Sequence, residues 1–568
     1  MTQVVNRRAR PWRSVRSRAG DGDLRVQSVA SSLLPKSLAV AGAFVLLSSP
    51  ATLQRLTGAD TGAFIAVTIA FVALAAWLGW SWRETTNAAA AHGTPPVAGR
   101  ELQIAAVALI ATALVLVACR TWLQQILTIP HDSLRADMLI GVQAGLHRML
   151  AGQNPYTLYY VPWEVPLPYG PLLWGPYAVP MLLGADVRFL TVSGELFVPV
   201  TCGVAAAISV SRGHVLTAAS CLVLLTVMSF SPDLQGFASI GHTPVYWPLL
   251  ALFAWLVAGR HWSAAALMLG LLIAARTTMI AIAPVLLVVL WLRHRKGLIT
   301  GLVLIGLGAG VPFLPFALWD LPSLTYAMYG SYQNVMKTFV WSSTTWAQHT
   351  VGITGVLLTQ GLNLWVEGVQ LVVMTLTYTV SWFAIRSGRS PLAWMSIALL
   401  AFSMTTLWPV SYIYLDVLVL MVAALVVETL WLDRRVSLTR IFGAWGLSCA
   451  ATVAVVAGVA AVMLPALPVS AGVTWREDPP VATSVLVRRS TALAVIEIET
   501  GAATVGAPPV QSMDATLNGE PLGTYGVASG PRVTTLVVPR RLWQIGANKL
   551  DLVMPKPISI TRVTVRSP

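Results

Sequence analysis

Three apolar runs divided by basic or polar turns decide the fold, in the stretch TPVYWPLLALFAWLVAGRHWSAAALMLGLLIAARTTMIAIAPVLLVVLWLRHRK at residues 243–296. The runs cover residues 243–258, 262–276 and 279–293. Arg260 lies between the first two runs, and four basic residues, Arg293 to Lys296, close the third. Apolar runs of this kind suit a bilayer, where a helix satisfies its own backbone hydrogen bonds. The stretch therefore predicts closely spaced membrane helices joined by short loops.

The composition of the whole chain agrees with a membrane protein. Of its 568 residues, 56% are hydrophobic and 11% are charged, and the mean hydropathy is +0.70. Ordinary soluble domains carry about 25% charged residues, and a single soluble core stops growing beyond ~250–300 residues. The net charge of +14 does not indicate nucleic-acid binding, because most basic residues lie in the N-terminal tail and in short loops.

Further apolar runs extend this pattern along the chain. They lie near 35–49, 62–82, 102–119, 189–210, 214–230, 298–316, 364–386, 391–408, 411–431 and 441–466. With the first three, they predict an α-helical polytopic membrane domain at 32–466 with roughly 13 crossings of ~20 residues each. The segment 171–184 contains three prolines in 14 residues, so we expect it to enter the membrane without crossing it.

Loop charges predict the orientation. The tail 1–31 is rich in arginine and is expected to be disordered and cytoplasmic, and nearly every loop on that side is basic. The predicted location is the plasma membrane. Two long loops, 120–188 and 317–363, and the C-terminal segment 467–568 then lie outside the cell.

The segment 467–568 differs in character from the rest. Short runs with alternating apolar residues occur at 484–489, 492–499, 532–539 and 548–555, and Asn-Gly or Gly-rich turns separate some of them. This pattern predicts a small all-β sandwich outside the membrane.

The first outer loop holds the candidate catalytic residues. A helix capped by Ser133 is expected to end near Leu150, with Gly152 after it and an apolar stripe resting on the membrane interface. Asp132 and Asp137 lie at its start. A carboxylate there is either a helix cap or a general base. Aromatic residues follow the helix and suit either membrane anchoring or stacking on sugar rings and isoprenoid chains.

Three charged residues fall within apolar runs: Glu195, Arg276 and Asp416. A charge at mid-bilayer costs ~2.5–3.5 kcal/mol on insertion scales, so it needs a partner or a function. Arg276 is expected to pair with one of the two carboxylates. The alternatives are a structural ion pair that fixes helix register, or a site that receives a lipid phosphate.

Several motifs carry a family resemblance. In the first outer loop, Asp137 precedes the amphipathic helix, and LAGQNPY (150–156) and YGP (169–171) follow it. Residues 240–297 contain a polar start, an apolar span, a basic turn, a Gly/Ala-rich span and a short return. In the second outer loop, WAQHTVGITG (346–355) is a polar motif that matches loosely. Together they resemble the superfamily C glycosyltransferases, most closely glycosyltransferase family 87, the polyprenol-phosphate-mannose-dependent α-mannosyltransferases of actinobacteria. Over about 100–430, the chain is similar to this family.

The resemblance implies an inverting transfer of mannose or another hexose or pentose from a polyprenyl phosphate to a lipid or glycan acceptor of the cell envelope. It implies Asp137 as the general base, with Asp132 as the second candidate. Donor or substrate binding falls to Arg135, Asn154, Tyr156, Tyr169, Arg276 and His349. No cofactor or metal is expected, since the two predicted outer loops contain no Asp-x-Asp element and no histidine cluster.

The sequence departs from the family in two places. WPVSYIYLD (408–416) lacks the paired histidines often found there, and the C-terminal β-domain is not typical. Two alternatives therefore stay open. One is a transporter or flippase for a lipid-linked glycan, and the other is an inactive membrane scaffold whose β-domain binds glycan.

Overall fold

A computed structural model gives the architecture of most of the chain. It describes residues 100–128, 137–160, 164–183, 185–338, 352–409, 412–430, 436–463, 481–488, 494–500, 510–528, 532–538, 547–554 and 560–566. The predicted tail 1–31 and the predicted spans 35–49 and 62–82 lie outside the described residues.

The described part is mainly helical. In chain order the α-helices are α1 Arg100–Thr128, α2 Asp137–Leu150, α3 Pro171–Trp174, α4 Ala178–Leu182, α5 Arg188–Ser211, α6 Val215–Ser229, α7 Pro232–Ile240, α8 Trp247–Ala258, α9 Trp262–Ala275, α10 Ala283–Arg293, α11 Leu298–Thr325, α12 Ser331–Thr338, α13 Gly352–Thr359, α14 Val366–Arg386, α15 Pro391–Met404, α16 Ile413–Leu430 and α17 Leu438–Met463. Short 3-10 turns at Thr243–Tyr246 and Thr277–Ile282 lead into α8 and α10.

Five helices in the described part are long and apolar enough to cross a membrane. They are Glu101–Ile126, Arg188–Ser211, Arg295–Met336, Asn363–Arg386 and Leu438–Met463. Six shorter apolar helices lie at Val215–Ser229, Thr243–Ala258, Trp262–Ala275, Thr277–Arg293, Pro391–Met404 and Ile413–Val427. Every span predicted from residue 102 onward coincides with one of these helices. The segment 171–184 contains only short helical turns, too short to cross.

The helix predicted to end at residue 316 continues much further. It runs through α11 to Thr325, passes a π-helical turn at Tyr326–Gly330, and continues as α12. The backbone leaves the helical region at Asp320, whose carboxylate accepts a hydrogen bond from the Ser323 N–H at 3.1 Å. Asp320 therefore kinks the helix and caps its next turn. The helix therefore extends into the segment 317–363 that is predicted to lie outside, and that topology stays a prediction.

Small residues bring α9 and α11 into close contact. A Cβ atom on Gly270 would lie 2.4 Å from the Ile305 carbonyl oxygen, and one on Gly308 would lie 2.6 Å from the Leu267 carbonyl oxygen. Backbone contact at such distances leaves no space for side chains, which is the usual role of small residues between membrane helices. This contact fixes where the end of α9 stands in the bundle.

Two short strands, β1 Leu158–Tyr160 and β2 Glu164–Pro166, form an antiparallel hairpin between α2 and α3. The C-terminal strands form two antiparallel sheets. The strands are β3 Val481–Arg488, β4 Ala494–Thr500, β5 Val510–Leu517, β6 Glu520–Ala528, β7 Arg532–Val538, β8 Ala547–Met554 and β9 Ile560–Arg566. The sheet orders are β3-β8-β5-β6 and β7-β4-β9, and one apolar core takes residues from both, including Ile496, Leu536, Met513 and Leu552. This arrangement is a small β-sandwich, and the four predicted strands are confirmed.

We expect Gly270→Ala to destabilise the helical domain by about 1–3 kcal/mol, because the added methyl group must push α9 away from α11. Thermal unfolding of the full chain in detergent measures this as a lower Tm. Gly306→Ala on the same α11 is the matched control, since a Cβ there meets nothing within 4 Å. An equal Tm for Gly270→Ala and wild type would contradict the close-contact interpretation.

Candidate functional site

An ion pair between Arg276 and Asp416 forms the centre of the site. Arg276 follows the last residue of α9 with an extended backbone, and its Nη1 lies 3.4 Å from an Asp416 carboxylate oxygen. Asp416 is in the first turn of α16 and is 1% exposed. The prediction that Arg276 pairs with one of the two buried carboxylates is confirmed, and the partner is Asp416.

Aromatic side chains surround this pair. The indole N–H of Trp247 donates a hydrogen bond to the other Asp416 oxygen at 2.9 Å, and the Tyr246 hydroxyl lies beside both charges. The guanidinium stands 5.7 Å from the centre of the Tyr412 ring, with Tyr332 also close. Asp416, Tyr246 and Tyr412 thus surround the Arg276 guanidinium, while 12% of its side chain stays exposed.

Several polar atoms around the pair are buried without hydrogen-bond partners among the described residues. They are both ring nitrogens of His242 and the hydroxyls of Thr243 and Thr278. Most buried polar groups in proteins are hydrogen-bonded, so a cluster of exceptions requires an explanation. Such clusters are typical of sites that bind a polar ligand or ordered water.

The first outer loop packs directly on this cluster. The Gly170 N–H donates to the Ala275 carbonyl oxygen at 3.2 Å, and a Cβ on Gly170 would lie 1.9 Å from the Ala274 carbonyl oxygen. The ring of Tyr169 lies 4.0 Å from the His242 ring, centre to centre. Only glycine permits this approach, and it brings the YGP motif onto the turn that holds Arg276.

Within the loop, Asn154 and Tyr156 are engaged with their neighbours. The Asn154 side-chain oxygen accepts from the Tyr156 N–H at 2.9 Å. The Tyr156 hydroxyl donates to the Tyr169 carbonyl oxygen at 3.1 Å and accepts from the Trp174 indole at 3.2 Å. Arg148 donates to the Asn154 carbonyl oxygen at 3.1 Å. Asn154 and Tyr156, predicted to bind the donor, therefore lie in a network that positions Tyr169.

A second buried polar chain leads away from His242. The Tyr177 hydroxyl donates to the His242 carbonyl oxygen at 3.0 Å and contacts the Thr191 hydroxyl at 2.9 Å. Glu195, one turn further along α5, is 0% exposed, and neither carboxylate oxygen has a hydrogen-bond partner among the described residues. Glu195 thus belongs to the same buried region as Arg276 without pairing with it.

The remaining predicted site residues are described in part. Helix α2 begins at Asp137, and the side chain of Asp137 lies outside the described residues, as do Asp132, Arg135 and His349. Gly152 follows the helix with φ +72°, which confirms the predicted end of the helix. The apolar stripe of α2 differs from expectation: Leu139, Val142 and Leu146 are fully buried in the protein core rather than facing lipid.

Sequence reasoning missed His242, Tyr246 and Tyr412 as members of the site. The signal was present in IGHTPVYW (240–247) and WPVSYIYLD (408–416), where polar and aromatic residues stand at the start of apolar spans. Neither stretch alone shows that the two meet. Among the described residues, no group of three His, Cys, Asp or Glu side chains lies close enough together to hold a metal ion.

Comparison with known proteins gives no match: no protein-family model, curated protein or solved structure matches this chain. The family resemblance of the loop and of residues 240–297 therefore stays a prediction.

We expect Asp416→Leu to destabilise the protein by about 3–5 kcal/mol, because it leaves the Arg276 charge buried and unpaired. The double variant Arg276→Met with Asp416→Leu removes both charges, and we expect it to recover most of the loss. Thermal unfolding of the purified full chain in detergent gives the three Tm values. A double variant no more stable than Asp416→Leu would show that the two charges do not depend on each other.

Tyr159 gives a titration that can be measured. Burial raises its pKa to about 12, and the nearby Arg148 opposes this only in part. The ordinary value is about 10. Because the Tyr159 pKa is higher in the folded than in the unfolded protein, the neutral phenol contributes to the free energy of unfolding. This contribution is complete below about pH 10 and is lost as the pH rises through about 12.

We expect the tyrosinate absorbance of wild type minus that of Tyr159→Phe to titrate with a midpoint near 12 in the folded protein. The measurement is near-ultraviolet difference spectroscopy over a pH series. A midpoint near 10 would mean that Tyr159 is in contact with water.

Proposed function

We propose that the chain is an inverting membrane glycosyltransferase. It moves a sugar from a polyprenyl phosphate to a lipid or glycan acceptor at the outer face of the plasma membrane. One observation carries the proposal: Tyr169–Gly170 of the first outer loop packs on the turn of Arg276, beside buried polar atoms without partners. The two segments that carry the family resemblance thus meet at one place, although about 100 residues separate them.

Arg276 is suited to receive the phosphate of the donor. The guanidinium lies beside the His242 ring, whose nitrogens have no hydrogen-bond partner among the described residues, and it keeps part of its side chain exposed. Its ion pair with Asp416 uses one edge, and a guanidinium offers five N–H donors in a fixed plane. A phosphate would also gain from the low dielectric, since few waters compete there.

The reaction has three parts. A general base, for which Asp137 is the first candidate and Asp132 the second, takes the proton of the acceptor hydroxyl. The resulting oxygen forms a bond to the anomeric carbon of the sugar, and the bond from that carbon to the phosphate oxygen breaks. The polyprenyl phosphate leaves with the electron pair, and Arg276 stabilises its charge. One displacement of this kind inverts the anomeric centre.

The contact between the β-sandwich and the first outer loop supports a role for the β-sandwich in acceptor binding. Its strand β6 contacts β1 at Leu158–Tyr160, and β1 pairs with β2 at Glu164–Pro166 to form a hairpin of the first outer loop. An acceptor glycan bound to the β-sandwich would therefore lie beside the loop that holds Tyr169.

A second function, transport of a lipid-linked glycan, is favoured by the buried chain of Glu195, Tyr177, His242, Arg276 and Asp416. Ionisable groups within membrane helices often mark a transport path. Movement of a fluorescent polyprenyl-phosphate sugar across proteoliposomes, with no sugar released from it, would favour transport over transfer.

The transfer proposal is tested with the purified full chain and radiolabelled polyprenyl-phosphate mannose, measuring label passed to an envelope lipid extract. We expect Asp137→Asn to lower the rate by roughly 10²–10⁴-fold, the usual contribution of a general base. Glu164→Gln, another carboxylate of the same loop, is the matched control and should keep the wild-type rate.

The four proteins compared, which are wild type, Asp137→Asn, Asp132→Asn and Glu164→Gln, are assayed in equal purified amounts. Wild-type transfer by Asp137→Asn together with loss in Asp132→Asn would move the base to Asp132. Wild-type transfer by both variants would refute a carboxylate base in this loop.

A further inference from the structure

A cavity lies at the opposite end of the helical domain from the candidate site. Its volume is about 170 Å³, and it is bounded by α5, α8 and α17. Val204, Ile208 and Ala444 are among its apolar walls, and Arg212 and Arg440 are its two cationic residues. The cavity therefore combines an apolar interior with two positive charges.

Three basic loops meet at this end. Arg212 directly follows α5, and Arg440 is in the first turn of α17. The His261 ring hydrogen-bonds to the Val436 carbonyl oxygen, and a Cβ on Gly259 would lie 2.8 Å from the Ile441 side chain. The loops that contain Arg212, Arg260 and Arg440 are all predicted to be cytoplasmic from their charge. The cavity thus lies at the predicted cytoplasmic end of the helical domain.

Ser448 adds a polar contact inside the cavity. It lines the cavity, is 0% exposed, and its hydroxyl has no hydrogen-bond partner among the described residues. A serine within a helix commonly donates to its own backbone, as Thr452 of the same helix does to the Ser448 carbonyl oxygen at 2.7 Å. The Ser448 hydroxyl instead stays available to a molecule in the cavity.

We propose that this cavity binds an anionic phospholipid of the inner leaflet. Arg212 and Arg440 pair with its phosphate, the Ser448 hydroxyl donates to an ester oxygen, and the first carbons of one acyl chain fill the apolar part. An apolar cavity of about 150 Å³ takes up a molecule as large as benzene, so 170 Å³ accepts a short stretch of hydrocarbon. Basic pockets between helices on the cytoplasmic side are suited to anionic headgroups.

A free phosphate ion explains less of the site. It would satisfy the two arginines but leave the apolar walls without contacts, whereas a diacyl lipid satisfies both parts. Because α5, α8 and α17 all border the cavity, the bound lipid would also hold these helices together.

The test is native mass spectrometry of the purified full chain in detergent, titrated with dioleoylphosphatidylglycerol and, separately, dioleoylphosphatidylcholine. We expect at least tenfold tighter binding of phosphatidylglycerol. Arg212→Gln with Arg440→Gln should weaken that binding by roughly 30-fold, because each basic residue near anionic lipid contributes about fivefold. Ala444→Leu, which fills the cavity without changing charge, should weaken it about tenfold.

Lys296→Gln with Arg386→Gln is the matched control: both side chains are exposed, and neither lines the cavity. It should leave the affinity within twofold of wild type. Unchanged affinity in the double arginine variant would overturn the proposal. Inorganic phosphate that competes equally well, together with wild-type binding by Ala444→Leu, would show an anion site rather than a lipid site. If the arginine variant does not fold, Ala444→Leu decides alone.

Discussion

The ion pair between Arg276 and Asp416 is the contact on which the site depends, because neither charge is stable alone in a membrane protein core. It joins the end of α9 to the first turn of α16, and Trp247 at the start of α8 binds the same carboxylate. The ends of α8, α9 and α16 are therefore fixed at one level, although α16 is remote in sequence from the other two. The close contact of Gly270 with the α11 backbone holds α9 at the required depth. Together these contacts build a rigid base under the first outer loop.

The same base leaves polar groups unsatisfied. Asp416 has two oxygens, one bonded to Trp247 and the other 3.4 Å from Arg276, so its charge is mostly compensated. The guanidinium has more donors than this one contact uses, and the ring nitrogens of His242 beside it have no hydrogen-bond partner among the described residues. A purely structural ion pair would be expected to satisfy its surroundings, as buried polar networks that only stabilise a core do. The unsatisfied groups are thus the strongest argument that the site binds something.

Hydropathy and charge predicted most of the helical architecture. Every predicted span from 102 onward coincides with a helix, and the four predicted strands are present. Two features of the helical domain were not predicted, each for a specific reason. The sequence does not show that Asp320 caps a helix that continues past residue 316. The apolar stripe of α2 has the same residue pattern whether it faces lipid or the protein core. Within the site, Arg276 was predicted to pair with a carboxylate, but the choice of Asp416 over Glu195 and the participation of His242 depend on contacts between remote segments. Local patterns carry no information on such contacts.

The two ends of the helical domain have opposite characters, and this bears on orientation. Arg212, Arg260 and Arg440 belong to loops that gather at one end, whereas the aromatic and unsatisfied polar groups gather around Arg276 at the other. Positive charges near a membrane favour the cytoplasmic side whatever the protein does. If the basic end is cytoplasmic, the Arg276 end and the first outer loop face outward by geometry alone. The direction of the site therefore depends on the charged loops and not on any likeness to a glycosyltransferase, so it would hold equally for a transferase, a transporter or a glycan-binding scaffold.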